Sequence, residues 1–172
     1  MSATNHPNLH DWIIRLLLAA GIGLRLWAVL GGRSLWLDEA MVAESIVGRD
    51  WAELAQPLAN MQVAPLGWLY IEHAFVVILG DTDLALRLPQ LLAGLAALGL
   101  FAWLARRLFT PLVAIVAIAL FALSPQLIQY SAEVKPYGVA VLVAVVALLF
   151  CVRYFWRNTP LSWADIAALA LF

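Results

Sequence analysis

The sequence predicts an all-α protein, a polytopic bundle of transmembrane helices with short interfacial helices in a long first loop. Three observations predict it. Of 172 residues, 65% are apolar and 12% charged, with a mean hydropathy of +0.91; a soluble domain has about 45–50% apolar and about 25% charged residues. The apolar residues form runs long enough to cross a bilayer. Eight of the eleven acids collect between residues 31 and 83. This excludes a disordered chain, a nucleic-acid-binding tail and an ordinary soluble globule. A net charge of −1 offers nothing to a polyanion. The single cysteine, Cys151, excludes a disulfide framework and a multi-cysteine metal site.

The first run, near 12–30, is read as a retained span. Residues 1–11 hold no Lys or Arg, and Ala28-Val29-Leu30-Gly31 has no A-x-A cleavage pattern. Arg15 can snorkel; the deeper Arg25 has to face protein or a wet cavity. The next run, 65–79, is short for a span and carries Glu72 and His73 at its middle. If it lies in the interface, Arg106-Arg107 and Arg153/Arg157 share the N-terminal side, as the positive-inside rule prefers. Trp12, Trp103, Trp156 and Trp163 then mark the inner boundary, and Trp27, Trp36, Trp51 and Trp68 the outer one. Further spans are expected near 84–104, 112–128 and 137–152, and a fifth entered at about 161. Ala93, Gly94, Ala97 and Gly99 give the second span a small face for close packing. The chain stops inside an apolar run, which predicts one membrane domain forming the N-terminal part of a longer protein.

The outer loop, 31–83, is too long to be a bare connection. Asp50-Trp51-Ala52-Glu53 has the capping-box pattern, and Trp51, Leu54, Ala55 and Leu58 follow at helical spacing, limited by Pro57. A second helix is expected over 38–47, with Gly48 as its stop. Asp38 and Glu39 at its start are explained equally by capping. Adjacent helical residues point about 100° apart, so at most one aims at a substrate while the other supports it. A second outer patch is Gln129 to Tyr137, readable as a solvated turn with two interfacial tyrosines. Arg87 opens the second span and is readable as a snorkelling arginine. Together, Arg25, Arg87, Lys135 and the acidic pair at one face suit a phosphate-bearing lipid headgroup.

Four stretches in register resemble one family. They are Ser34-Leu35-Trp36-Leu37-Asp38-Glu39-Ala40; Ala64-Pro65-Leu66-Gly67-Trp68-Leu69-Tyr70; Asp83 to Gly94 with Arg106-Arg107-Leu108-Phe109; and Tyr130-Ser131-Ala132-Glu133-Val134-Lys135-Pro136-Tyr137-Gly138. They resemble the polyprenyl-phosphate-sugar-dependent glycosyltransferases of the GT-C fold, which include protein O-mannosyltransferases and the aminoarabinose transferase of lipid A. The resemblance implies a multi-pass protein of the cell (inner) membrane with a cytoplasmic N-terminus and its catalytic loop outside. It implies Asp38 as catalytic base, Glu39 as its assistant and Arg87 near the lipid phosphate. Lys135, Arg25, Glu133, Tyr130, Tyr137 and Gln62 complete the donor-binding candidates. The implied partners are a polyprenyl-phosphate-linked sugar donor and a protein, lipid or glycan acceptor, with no nucleic acid. No cofactor is expected. Many members carry Glu-Lys-Pro-Pro or His-Pro-Pro where this chain has Gln62-Val63-Ala64-Pro65, so the divalent cation used by some relatives is not supported here.

The expected reaction is a single displacement, with inversion at the sugar carbon. The alternatives are a transporter or flippase of a lipid-linked headgroup and a non-catalytic, truncated membrane subunit. Transporters usually gather polar groups at mid-membrane on broken helices, whereas here they collect at one face. His73 is the one internal histidine, which makes metal catalysis a weak third reading.

Overall fold

The computed structural model describes residues 8–157, with side chains as far as Tyr154. Among the described residues seven α-helices follow in order: α1 (Leu9–Leu30), α2 (Leu37–Gly48), α3 (Leu66–Leu79), α4 (Asp83–Leu108), α5 (Pro111–Leu123), α6 (Pro125–Tyr130) and α7 (Tyr137–Arg157). No strand occurs among the described residues. Helices α1, α4 and α7 are long and apolar enough to cross a membrane. The expected fifth span, Trp163 and the side chain of Trp156 lie outside the described residues.

Contacts at the two ends fix the helix directions. Arg106 near the end of α4 pairs with Asp11 at the start of α1 at 2.6 Å, while Arg87 near the start of α4 donates to the Arg33 carbonyl just past α1. The two helices are therefore antiparallel, and α1 alone spans about 33 Å at 1.5 Å per residue. The chain between them returns to the end it left. Helix α3, with 14 residues or about 21 Å, does not carry it to the opposite end. Helix α5 rises beside α1. Helix α7 runs parallel to α4: its Val139 meets Gln90 at one end, and its Leu149 shares a cavity with Leu104 near the other.

The expected span over 112–128 is broken in two at Ser124-Pro125. Pro125 has no N–H to give to the Phe121 carbonyl, and the Ser124 hydroxyl caps α6 through the Leu127 N–H at 3.4 Å. Arg25 fills the break. Its guanidinium donates to the carbonyls of Ala122 at 3.0 Å, Phe121 at 3.4 Å and Gly21 at 3.0 Å, and the residue is 1% exposed. A buried cation thus satisfies backbone groups that hydrocarbon could not.

Two further expectations need correction. The helix expected after Asp50 shrinks to a 3-10 turn, Glu53–Ala55. The capping box itself forms: Asp50 Oδ1 accepts from the N–H groups of Ala52 and Glu53, and Glu53 Oε2 accepts from that of Asp50. The helix cannot propagate because Pro57 has no N–H for the Glu53 carbonyl, which accepts instead from the Gln56 N–H at 3.0 Å and from Arg49 at 3.3 Å. Trp68 is 3% exposed, in a core with Val42, Ile46, Leu69, Leu86 and Val134, and does not mark a membrane boundary.

The small face of α4 works as expected for Ala93, Gly94 and Ala97, which are buried, but Gly99 points outward. Within a bilayer, helix association rests on close packing and polar contacts more than on expelling water. Gly94 lies against Ser131, so a β-carbon there would overlap the Ser131 hydroxyl and lie 2.9 Å from its Cβ. Gly94→Ala should cost about 1–3 kcal/mol by overpacking, read as a lower melting temperature in detergent. Adding Ser131→Gly should restore most of the loss. An unchanged melting temperature for Gly94→Ala would contradict this packing.

Candidate functional site

The site forms where α1 ends, α2 begins and the 131–136 turn leads into α7. Helix α2 starts after Trp36, and its first turn carries Asp38 and Glu39. Their 100° separation sends them opposite ways. Asp38 has a side chain 63% exposed; Glu39 is 1% exposed.

Glu39 binds three groups from two segments. One carboxylate oxygen accepts the Val134 N–H at 2.8 Å; the other accepts the Trp36 N–H at 2.8 Å and pairs with Arg33 at 3.2 Å. It therefore closes the start of α2 and pins the distant turn beside it. That fixes Lys135 over Asp38. Lys135 Nζ lies 3.4 Å from Asp38 Oδ2 and donates to Gln62 Oε1 at 3.1 Å. Gln62 in turn reaches the Met41 sulfur at 3.8 Å. Asp38, Gln62 and Lys135 are thus brought together from three parts of the chain.

The other candidates are placed apart. Arg87 is 2% exposed, donates through Nη2 to the Arg33 carbonyl, and has Nε and Nη1 without a partner among the described residues. It joins the site only through Arg33 and Glu39. Arg25 is committed to the carbonyls at the α5–α6 break and does not reach Asp38. Tyr130 and Tyr137 pack on each other with ring centroids 4.9 Å apart. Glu133 accepts from Gln129 at the turn's exposed side. Among the described residues no three His, Cys, Asp or Glu side chains gather as metal ligands.

The arrangement is an exposed carboxylate beside a cation, held by a buried carboxylate. The family model of dolichyl-phosphate-mannose-protein mannosyltransferases matches residues 63–172, more than half of the chain. The chain belongs to that family. Its members are membrane glycosyltransferases of the GT-C type. No curated protein and no solved structure matches the chain. The match takes in Arg87, Tyr130, Glu133, Lys135 and Tyr137, while Arg25, Asp38, Glu39 and Gln62 precede it.

In this mannosyltransferase-family chain, Glu72, which the sequence offered only as a cost of burial, and Gln90, which the sequence reading did not single out, have a structural task. Glu72 on α3 and Gln90 on α4 are both 0% exposed. Glu72 Oε1 accepts from Gln90 Nε2 at 2.7 Å, which turns Gln90 Oε1 toward the Val139 N–H at 3.3 Å in the first turn of α7. Gln90 therefore caps α7 from a neighbouring helix, and Gly138 must be glycine because a Cβ there would lie 2.8 Å from Gln90 Oε1. The turn that bears Lys135 is held before it by Glu39 and after it by Gln90. A polar pair inside otherwise apolar segments was the available signal. His73 donates from Nδ1 to the Ile46 carbonyl at 2.8 Å, with the Trp51 ring edge-on at 4.6 Å, tying α3 to α2.

Burial pushes the Glu72 carboxyl up to about 8; Gln90 opposes this, and the Trp68 indole N–H pulls more weakly, outside hydrogen-bond geometry. The folded carboxyl keeps its proton at neutral pH, where an exposed one, with an ordinary value of 4.5, has lost it. The stability this group confers is full below the unfolded value and is lost as pH rises through the folded one. Between pH 5 and 9 the melting temperature should fall more steeply for the wild type than for Glu72→Gln, which keeps the acceptor for Gln90. Equal slopes would show that Glu72 is ionised in the fold.

Proposed function

We propose that the chain forms the catalytic front of a glycosyltransferase that moves a sugar from a polyprenyl-phosphate donor to an acceptor hydroxyl at the outer face of the cell membrane. The observation that supports this reading best is the pairing of exposed Asp38 with Lys135, two groups of opposite charge needed at opposite ends of one displacement. Asp38 takes the acceptor's proton as its oxygen attacks the anomeric carbon. The bond from that carbon to the phosphate oxygen breaks, its electrons leave with the lipid phosphate, and the sugar carbon inverts. Lys135 turns from Asp38 toward the leaving phosphate and stabilises its growing charge. Arg87, buried behind with two open N–H groups, adds positive potential at the same end.

Glu39 then acts by positioning, not by touching substrate. Gln62 orients Lys135. Arg25 supports the bundle and takes no part in holding the donor. Membership of a transferase family favours this chemistry over the transporter reading.

In the full-length protein, sugar transfer from a radiolabelled polyprenyl-phosphate donor in proteoliposomes separates the two roles. Asp38→Asn should lower kcat by at least about 10² with the donor KM nearly unchanged. Lys135→Gln should raise the donor KM and also lower kcat, about tenfold or more in kcat/KM, because the phosphate contact it loses strengthens as the leaving charge grows. Transfer by Asp38→Asn near the wild-type rate would remove this carboxylate from the mechanism.

A further inference from the structure

The 31–83 loop divides into two unlike halves. Up to Glu53 it carries Asp38, Glu44, Asp50 and Glu53 on its exposed surface. From 54 to 80 the only residues that can hold a charge near neutral pH are Glu72 and His73, and both are buried. What this second half exposes is apolar. Met61 is 97% exposed and Val63 93%, more than any other large apolar side chain among the described residues, and Leu66, Ile71 and Ile78 continue the surface along α3. The backbone itself presents the pair. Asn60 and Met61 both sit at positive φ, 55° and 54°, a conformation that is costly for any residue bearing a Cβ and uncommon for methionine. Gln62 is extended, at φ −72° and ψ 145°, which sends successive side chains to different sides. It turns inward onto Lys135 and the Met41 sulfur while Met61 and Val63 turn out. Val63 also borders a cavity of about 310 Å³ walled mainly by Leu54, Leu58, Leu66 and Leu69. In water this arrangement costs twice, in strain and in exposed apolar surface; against acyl chains the second cost disappears. The rim of a protein interface is polar, whereas this surface runs uncharged into α3.

We infer that the 59–64 loop dips into the lipid leaflet beside the site, with the Met61 and Val63 side chains among the first acyl carbons and the loop backbone at headgroup level. This extends the interfacial placement expected for 65–79 to the loop before it. The depth is limited. Irregular backbone is not tolerated in the hydrocarbon core, so the loop stops at the boundary, where apolar faces seat about 5–10 Å deep. Gln62 lies between the two inserted side chains and bonds Lys135. Insertion therefore sets that cation at the lipid surface, while Asp38, on the charged half, stays in water. The inference concerns membrane contact alone and stands whether or not the transfer reading holds.

The test uses the full-length protein with its native cysteines replaced by serine, reconstituted in phosphatidylcholine vesicles. Val63→Cys carries an environment-sensitive fluorophore, and Glu44→Cys, on the charged half, carries the same label as control. The quenchers are iodide in the water and nitroxide-bearing lipid, with the nitroxide either near the headgroup end of the acyl chain or near its terminal methyl. The label at 63 should be quenched more by the shallow nitroxide than by the deep one. Iodide should quench it at least about fivefold less than the label at 44, since an apolar contact seats about 5–10 Å below the water boundary. Adding Met61→Asp should draw the loop out and raise iodide quenching at 63 toward that at 44. The melting temperature in detergent should not change, because Met61 is almost wholly exposed. Equal iodide quenching at 63 and 44 would overturn the inference. So would stronger quenching by the deep nitroxide, or protection from iodide and both nitroxides together, which would mean that protein covers the loop.

Discussion

The Glu39 carboxylate, buried where α1, α2 and the turn before α7 converge, holds the arrangement together. It accepts the backbone N–H groups of Trp36 and Val134 and pairs with Arg33. Each of these is separately satisfiable by water in an unfolded chain, but only the folded chain brings all three to one carboxylate. Removing one partner of a buried charge cluster is far costlier than never building it, about 3–5 kcal/mol by analogy with other buried pairs. Because Val134 precedes Lys135 and Glu39 follows Asp38, the same contact sets the distance between the two groups assigned to the chemistry. Buried carboxylate and exposed carboxylate are neighbours in sequence and have opposite tasks.

The bundle supports that contact by returning the chain to one end. Helix α3 leans on α2 and α4 without reaching the far end of the bundle, and Gly80, at φ 89°, makes the reversal into α4. Apolar segments cannot leave backbone groups open, and the chain solves this at its break with Arg25 and at the start of α7 with Gln90. Both devices are polar side chains placed where a helix ladder is interrupted. Both also fix loops that reach the site, Arg25 through the α5–α6 corner and Gln90 through the start of α7. Polar residues in the apolar part of this protein therefore serve its geometry before they serve any ligand.

Much of this was legible in the sequence, and the failures have physical causes. Hydropathy located α1, α4 and α7 to within a few residues, because a membrane span is a property of composition. The 100° rule gave Asp38 and Glu39 different directions. Helix α2 was readable from spacing and from Gly48. The capping box at Asp50 was real, but one missing N–H at Pro57 outweighed the periodicity that followed it. The break at Pro125 was hidden because both halves are apolar and their sum has the length of one span. Arg25 was grouped with the phosphate ligands on its charge; its main-chain partners, the Phe121 and Ala122 carbonyls, depend on which helices touch and were not visible. Glu72 was legible only as an anomaly and Gln90 not at all, since a buried hydrogen-bonded pair depends on which helices touch.

The claim most exposed to refutation is that Asp38 and Lys135 share one side of the membrane. It is tested by placing single cysteines at 38 and at 135 in a full-length protein with Cys151 replaced by serine, and treating sealed, oriented vesicles with a membrane-impermeant thiol reagent. Both positions should react from the same side and stay protected from the other. Reaction from opposite sides would put the bilayer between the carboxylate and the cation and leave the site without its second half.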